Sequence, residues 1–416
     1  MDIVRILYFH QYFSTPRGAA GTRSYEMARR MLARGHQVLV VCGSAERGET
    51  GIEGPFRDGC RRGSVDGIEV LEFELGYSNR DGLVQRTAAF LRFARRSIGV
   101  ALREEYDLIF ATTTPLTAAL PGIFARWLRG KPFVFEVRDL WPELPRAMGV
   151  ITNPVVLGVL SLLEWSSYHS ADRLIGLAPG IVDGIAQRGV PEARIALVPN
   201  GCDLDLFSGG GPGARPDAVP PEALMAVFTG AHGIANGLDA VLDAAAELQR
   251  RGRDDIRLVL VGEGKLKRSL QQRAAADGLK NVVFLDSVPK ERLVELMKSA
   301  DVGLQILANV PAFYRGTSPN KFFDYLAAGR PVLINYPGWL ADVVREFDCG
   351  WAVPPDDAGA FADALVHAAD RRSTVAEMGR RARALAERRF ARDVLADHFV
   401  DWVCDPSLLA LRGRLA

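Results

Sequence analysis

The stretch SGGGPGARPDAVPPEA, residues Ser208 to Ala223, divides the chain. It is rich in Gly and Pro and poor in apolar side chains, the composition of a linker. On its N-terminal side short apolar runs, Ile3–Phe9, Val38–Cys42, Ile68–Phe73, Leu108–Ala111, Phe133–Val137, Leu174–Leu177 and Ile195–Val198, alternate with helical patterns at Thr22–Ala33, Leu83–Arg103, Thr117–Arg129 and Pro154–Tyr168. On its C-terminal side the alternation restarts with Leu224–Thr229, Leu258–Val261, Val282–Leu285, Val302–Ile306 and Val332–Ile334. Such alternation predicts parallel sheets covered by helices on both faces. The reading is α/β: two doubly wound domains, residues 1–205 and 223–391, joined by a linker at 206–222 and facing across a cleft. An apolar-aromatic helical tail, 392–416, docks back on the first. Ligands of such sheets bind beyond the carboxyl ends of the strands, so two facing sets of strand ends suit a two-substrate reaction.

Composition agrees with this frame. A chain of 416 residues exceeds what one hydrophobic core usually supports. The formal net charge of +1 gives no global attraction to nucleic acid, so any anion site must be local. Cys42, Cys60, Cys202, Cys349 and Cys404 show no metal-ligand or disulfide spacing, which points to a reducing cytosol and to no metal site. The N-terminus reads directly into a strand, so no signal peptide is expected, and no apolar run reaches the ~20 residues of a spanning helix. A cytoplasmic protein is expected.

Four segments carry candidate chemistry. PRGAAGTRSYEMARRM, Pro16 to Met31, follows the first strand and opens a helix. Gly18 and Gly21 permit close backbone approach, and the helix start offers N–H groups to an anion beside Arg17 and Arg23; a tight turn without a ligand is the alternative. VLVGEGKLKRSL, Val259 to Leu270, has Gly262, Glu263 and Gly264 between strand and helix, but Lys267 replaces the third glycine of a dinucleotide fingerprint, so a dehydrogenase is disfavoured. Lys265 and Lys267 read best as surface lysines. FYRGTSPNKFFDYLAAGRPVLI, Phe313 to Ile334, has Ser318 as expected N-cap, Pro319 in the first turn, then Asn320, Lys321 and Asp324. A lysine there opposes the helix dipole unless an anion joins it; the alternative is a surface Lys321–Asp324 pair. FVFEVRDLWPE, Phe133 to Glu143, ends a buried strand in Arg138, Asp139 and Glu143. His10 ends the first strand and either serves the same site or caps the strand.

Taken together these segments resemble the family-4 retaining glycosyltransferases, over essentially the whole chain. RGHQVLVV is similar to the family's GHEV strand, VPNGCDLDLF to its PNGVD segment, VFTGAHGIANGLDAVLDAAAEL to its first C-terminal strand and helix, LVLVGEG to its VGdG turn, and SPNKFFDYLAAGRPV to the segment bearing its second donor-binding acidic residue. HQYFSTPRGAAGTRSYEMARRML and VRDLWPE point to the branch that transfers N-acetylfucosamine-like sugars in bacterial surface polysaccharide assembly. The resemblance implies the GT-B fold of two Rossmann-like domains. It also implies a nucleotide-sugar donor on the C-terminal domain, UDP-linked, an acceptor on the N-terminal domain, and no metal or other cofactor. Donor contacts then fall to Gly230, His232, Gly262, Glu263, Val288, Ser318, Pro319, Asn320 and Asp324, and the acceptor or diphosphate loop to His10, Arg17, Gly18, Gly21 and Arg23. Lys321, with Arg138, meets the leaving diphosphate, and Asp139 is the residue for any dedicated base. Four positions depart from the family pattern: His232 replaces an Arg, Asn236 a Lys, Gly316 the first Glu of the Glu–x7–Glu motif, whose second is Asp324, and Arg138 a His.

The partners implied are a glycan or polyprenyl-linked acceptor and no nucleic acid. LVQRTAAFLRFARRSIGVALR, Leu83 to Arg103, carries Arg86, Arg92, Arg95, Arg96 and Arg103 on an amphipathic pattern. It either lies peripherally on an anionic membrane surface or simply covers the sheet. Two further readings stay open: a sugar-nucleotide 2-epimerase of the same architecture, and a nucleotide-sugar-binding subunit without catalysis.

Overall fold

The computed structural model describes residues 3–18, 21–45, 48–77, 82–209 and 213–409. Residues 19–20 of the glycine-containing loop, 210–212 of the expected linker and 410–416 of the tail lie outside the described residues. The chain forms two compact α/β units, the two-Rossmann-domain class expected. The first comprises Met1–Pro199, Gly316–Ser318 and Asp393–Ala416; the second comprises Asn200–Arg315 and Pro319–Arg392.

The first unit contains β1 (Arg5–Phe9), β2 (Gln37–Ala45), β3 (Cys60–Val65), β4 (Ile68–Tyr77), β5 (Leu108–Thr112), β6 (Phe133–Val137), β7 (Arg173–Gly176) and β8 (Ile195–Leu197). Their order is β3-β4-β2-β1-β5-β6-β7-β8. All pairings are parallel except the β3–β4 hairpin. Sequence reading missed β3, because CRRGSV is neither apolar nor cleanly alternating. It stands at the sheet edge, where polar side chains stay wet. The second unit contains β9 (Leu224–Thr229), β10 (Ile256–Val261), β11 (Val282–Leu285), β12 (Val302–Gln305), β13 (Val332–Ile334) and β14 (Gly350–Ala352), all parallel in the order β11-β10-β9-β12-β13-β14. In both sheets the order reverses beside the first strand, β1 or β9, the place where doubly wound folds bind ligands.

The C-terminal helix Arg392–Val403 packs into the core of the first unit through Leu395, Ala396, Phe399, Val400 and Val403. Phe399 meets Phe110 edge-on, with ring centroids 5.1 Å apart. Asp397 binds Arg30 and Arg34, and Asp405 binds Arg173 at 2.8 Å. The Gly/Pro-rich stretch is packed where it is described. Arg215 donates to the carbonyls of Pro220 and Ala223 and pairs with Asp301 at 3.0 Å, and Val219 is buried.

The first sheet is locked by a charge that the sequence concealed. Glu136 lies in the middle of a strand buried at every residue. Its carboxylate receives Arg23 Nε at 2.9 Å, Thr112 Oγ1 at 2.7 Å and Arg138 Nε at 3.1 Å. Arg23 also donates to the carbonyls of Val198 and Pro199, so one guanidinium joins the first helix, β6 and the end of β8. Burial alone would raise the Glu136 pKa; Arg23 and Arg138 outweigh it and hold the carboxyl at about 2. Glu136→Ala leaves Arg23 buried without its carboxylate, which costs about 3–5 kcal/mol in chemical denaturation. The wild-type contribution is present above the ordinary carboxyl range and fades as pH falls toward 2. A loss below ~1 kcal/mol in Glu136→Ala contradicts this role.

Candidate functional site

In the second unit the strands β9 and β10 run side by side and end in interlocked loops. Gly230 N donates to Val261 O, His232 N to Glu263 O and Leu266 N to His232 O. The backbones approach so closely that a Cβ on Gly262 would lie 1.9 Å from Gly230 O, and one on Gly264 2.4 Å from His232 O. Only glycine fits, and Gly262 also has a positive φ of 145°.

Above this knot lies the helix Asn320–Ala327. Tyr325 fixes it: its hydroxyl donates to Val227 O at 3.0 Å and accepts Thr229 N at 3.0 Å, both on β9. A Cβ on Gly303 would strike the Tyr325 ring at 2.3 Å, so that glycine makes the space. Lys321 precedes Tyr325 by one turn and therefore shares its face. Its Nζ sits 3.7 Å from the Phe228 ring centroid and 3.3 Å from Asn236 Oδ1, and a Cβ on Gly230 would be 3.1 Å from it. Among the described residues Lys321 has no carboxylate partner. Desolvation pushes its pKa down to about 7.

The expected alternative, a surface Lys321–Asp324 pair, is corrected. Asp324 is buried and takes both oxygens to Lys290 Nζ, each at 2.9 Å. Burial raises its pKa and Lys290 opposes the rise. The N-cap is also corrected. Pro319, with ψ of 132°, occupies that place in front of Asn320, and its own side chain makes no capping hydrogen bond; proline's fixed φ suits a residue entering the helix from extended chain.

Two further expectations change. His232 contributes backbone, not charge, to this site: its ring is fully buried between Phe228 and Phe284, each with its centroid 6.2 Å away, and both ring nitrogens are unpartnered. Burial, then Lys267, lowers its pKa to about 4, so it is a neutral ring at pH 7. Lys267 is not a surface lysine. It is buried and bridges Glu263 at 2.7 Å and Asp286 at 2.5 Å, which holds Glu263 in the turn. Val288 is an exposed apolar side chain just before Pro289, which precedes the Lys290 helix.

In the first unit Arg138 and Asp139 follow β6. Arg138 reaches Thr112, Glu136 and Ser24 (Nη2 to Oγ, 2.8 Å), and Asp139 accepts Thr114 Oγ1 at 3.5 Å. Burial raises the Asp139 pKa, against Arg138 and Thr114. Arg23, expected to serve the anion loop, is instead committed to Glu136. Arg17 is exposed, and Gly18 is enforced by Ser14 and Glu49, whose atoms a Cβ would meet at 2.2 and 2.9 Å. Gly21 is exposed just before the helix. His10 is buried with Nδ1 unpartnered, and burial followed by Arg138 lowers its pKa well below the usual range. Gln11, which sequence reading missed, is buried with both amide atoms unpartnered; its signal was its place at the end of β1. Glu143 pairs with Arg188 at 3.3 Å.

Comparison with known proteins agrees with this architecture. Residues 18–201 match the family described as "Glycosyl transferase 4-like domain", and residues 223–371 match "Glycosyl transferases group 1". D-inositol 3-phosphate glycosyltransferase 2 of Catenulispora acidiphila is 26% identical over 385 residues, covering 90% of this chain and 87% of that protein. The putative colanic acid biosynthesis glycosyltransferase WcaL of Escherichia coli is 25% identical over 200 residues, 48% of each chain. Among solved structures, HepE of Anabaena in complex with UDP and glucose superposes with a TM-score of 0.69 at 17% identity, covering 97% of this chain and 100% of that one.

The Lys321 environment makes a stability statement. The unfolded lysine keeps its proton to about pH 10.4, whereas the folded one releases it near 7. Between those values the unfolded state binds more protons, so apo stability rises with pH. Lys321→Met removes that rise relative to wild type in denaturant titrations from pH 7 to 10. Parallel curves for the two proteins contradict a desolvated ammonium.

Proposed function

We propose a reaction for a chain that belongs, through both of its halves, to the glycosyltransferases of the family-4 type with the GT-B fold: it moves an N-acetylated hexosamine or deoxyhexosamine from a UDP-linked donor to a glycan or lipid-linked glycan acceptor, with retention of anomeric configuration and without a metal. The observation that carries the reading is Lys321, a desolvated amine with no carboxylate partner among the described residues, in the first turn of a helix that Pro319 opens beside the Gly230–Gly262 turn. A cation and free N–H groups there converge on one anion. In the reaction the bond between the anomeric carbon and the β-phosphate oxygen breaks, charge grows on the diphosphate, and Lys321 with the N–H groups of the first turn stabilises it. The acceptor oxygen forms the new bond on the same face and gives its proton to the leaving phosphate, with Asp139 as the residue for any separate base. Asp324 and Lys290 hold the ribose, and Val288 lies against the base. His10, Gln11 and Arg17 serve the acceptor, and Arg138 keeps the role toward the diphosphate that the resemblance implies. UDP as donor nucleotide is supported by the HepE complex, and a glycan acceptor by the WcaL likeness. The N-acetylfucosamine-type sugar rests on HQYFSTPRGAAGTRSYEMARRML and VRDLWPE.

The test supplies UDP-N-acetylhexosamines with lipid-linked glycan acceptors and follows the anomeric proton by NMR. The expected product keeps the donor configuration and forms equally with EDTA present. Lys321→Ala loses ~10²–10³ in rate, the scale of one preorganised donor to a developing oxyanion, without loss of apo stability. Inverted product, or wild-type turnover in Lys321→Ala, overturns the mechanism; a 2-epimer formed without acceptor favours the epimerase.

A lipid-borne acceptor requires a surface, and we place it on the first unit. Among the described residues no helix is long and apolar enough to cross a membrane. Helix Pro154–Ser170 nevertheless leaves Val155, Val159, Leu162 and Trp165 outward, with Val159 62% and Trp165 53% exposed. Its neighbour Leu120–Arg129 exposes Leu128 and Trp127, the latter at 72%. Tryptophan beside aliphatic side chains suits a bilayer interface. The expected basic helix Leu83–Arg103 packs against Leu120–Arg129 and offers exposed Arg92 and Arg95. Arg96 is corrected: it lies over the Phe73 ring and donates to the carbonyls of Gly59 and Asp58. Trp127→Ser with Trp165→Ser abolishes cosedimentation with anionic vesicles, and Arg92→Glu with Arg95→Glu weakens it by ~1 kcal/mol or more per charge. Unchanged sedimentation in both variants removes the membrane reading.

A further inference from the structure

The second unit has another cavity, at the opposite end of its sheet from the Gly230–Gly262 turn. It holds about 360 Å³ and is lined by Asp301, Arg330, Arg372, Arg380 and Arg383 together with Gly329, Pro331 and one face of helix Arg372–Arg389. Asp301 directly precedes β12 and Pro331 directly precedes β13, so the cavity opens at the amino ends of the strands, whereas the turn lies at their carboxyl ends.

The charges do not balance. Four arginines line the cavity against one carboxylate. Asp301 is already engaged by Arg215 at 3.0 Å, by Arg372 at 3.2 Å and by Met225 N at 2.7 Å. Arg383 is held by Glu387 at 2.6 Å and by Ala327 O at 2.7 Å, and Arg380 reaches Glu377 only at 4.0 Å. Arg330 is the decisive member. Its Nη2 donates to Lys298 O at 2.5 Å, its Nε is buried without a partner, and among the described residues no carboxylate lies within ion-pair distance. A guanidinium partly withdrawn from water without a counter-ion is costly, and an unpaired buried N–H adds to that cost. Both are relieved by one anion. Guanidinium forks match phosphate oxygens, and the cavity volume admits a small phosphorylated molecule.

We propose that this cavity is a binding site for a small phosphate-bearing anion, separate from the donor site. Inorganic pyrophosphate is the probe, titrated by calorimetry into the full chain with UDP held at saturation so that the donor site is occupied. The expected result is one further site of about millimolar Kd or tighter, weakened tenfold or more in Arg330→Met and in Arg380→Glu and unchanged in Lys321→Ala. Arg380 is largely exposed (72% of its side chain), so its substitution tests the site even where loss of Arg330 disturbs folding. Equal binding in Arg330→Met and Arg380→Glu, or loss in Lys321→Ala, overturns the proposal. So does binding of phosphatidic acid vesicles without binding of free pyrophosphate, which assigns the arginines to a lipid headgroup.

Discussion

Tyr325 Oη makes three contacts at the end of β9, to Val227 O, Thr229 N and Thr229 Oγ1 at 3.0 to 3.2 Å. Much of the second unit's chemistry depends on that anchor. A phenol in a core must find partners, and here the partners are backbone groups of a central strand, so the helix Asn320–Ala327 can take one position along its axis and one rotation about it. Lys321, a turn earlier, is thereby delivered over Phe228 and against Gly230. Asp324 is turned to Lys290. The helix must then end before Gly329, which takes a φ of 64° and leads Arg330 to the other end of the sheet. One hydroxyl thus sets the geometry at both ends of a two-turn helix.

The architecture was legible because parallel sheets buried on both faces write themselves as apolar runs separated by helical periods. Those runs coincide with twelve of the strands to within a few residues. β3 was illegible, since an edge strand needs no apolar pattern, and so was β14, three residues of GWA. Among site residues, Lys321 stood out because it breaks a local rule: a cation at a helix start. Its true neighbours were hidden, because Lys290, Asn236 and Phe228 are distant in sequence and meet only in the fold. Glu136 was hidden in another way. Reading FVFEV as an apolar run smooths over the one residue that compels two arginines to converge on the strand.

Buried charge is treated in two opposite ways. Around Glu136 each oxygen of the carboxylate has its donor, and Arg23 uses its remaining N–H groups on strand-end carbonyls. This is a closed network, and it rigidifies the first sheet. Lys267 with Glu263 and Asp286 is closed in the same sense. Lys321 and Arg330 are open: the contacts given above for each are an aromatic face, an amide or a carbonyl, and among the described residues neither has a carboxylate within ion-pair distance. Closed networks belong to folding, since they gain nothing from an added ion. Open ones are stabilised by an anion from outside and are the places to seek ligands.

That distinction also explains how the second unit can forgo two cations that its resemblance would lead one to expect. His232 stands in an aromatic enclosure that keeps its imidazole neutral, and Asn236 carries no charge. Yet neither position is idle. The His232 backbone exchanges hydrogen bonds with Glu263 and Leu266, which locks the glycine turn. Asn236 donates to Ala231 O at 2.7 Å and turns its oxygen to Lys321 Nζ, so an uncharged side chain steers the charged one. A single cation that is desolvated and fixed in direction acts in a lower effective dielectric than several solvated ones, and its field on an anion is correspondingly stronger. On the reaction proposed above, the placement of one charge stands in for a larger number of charges.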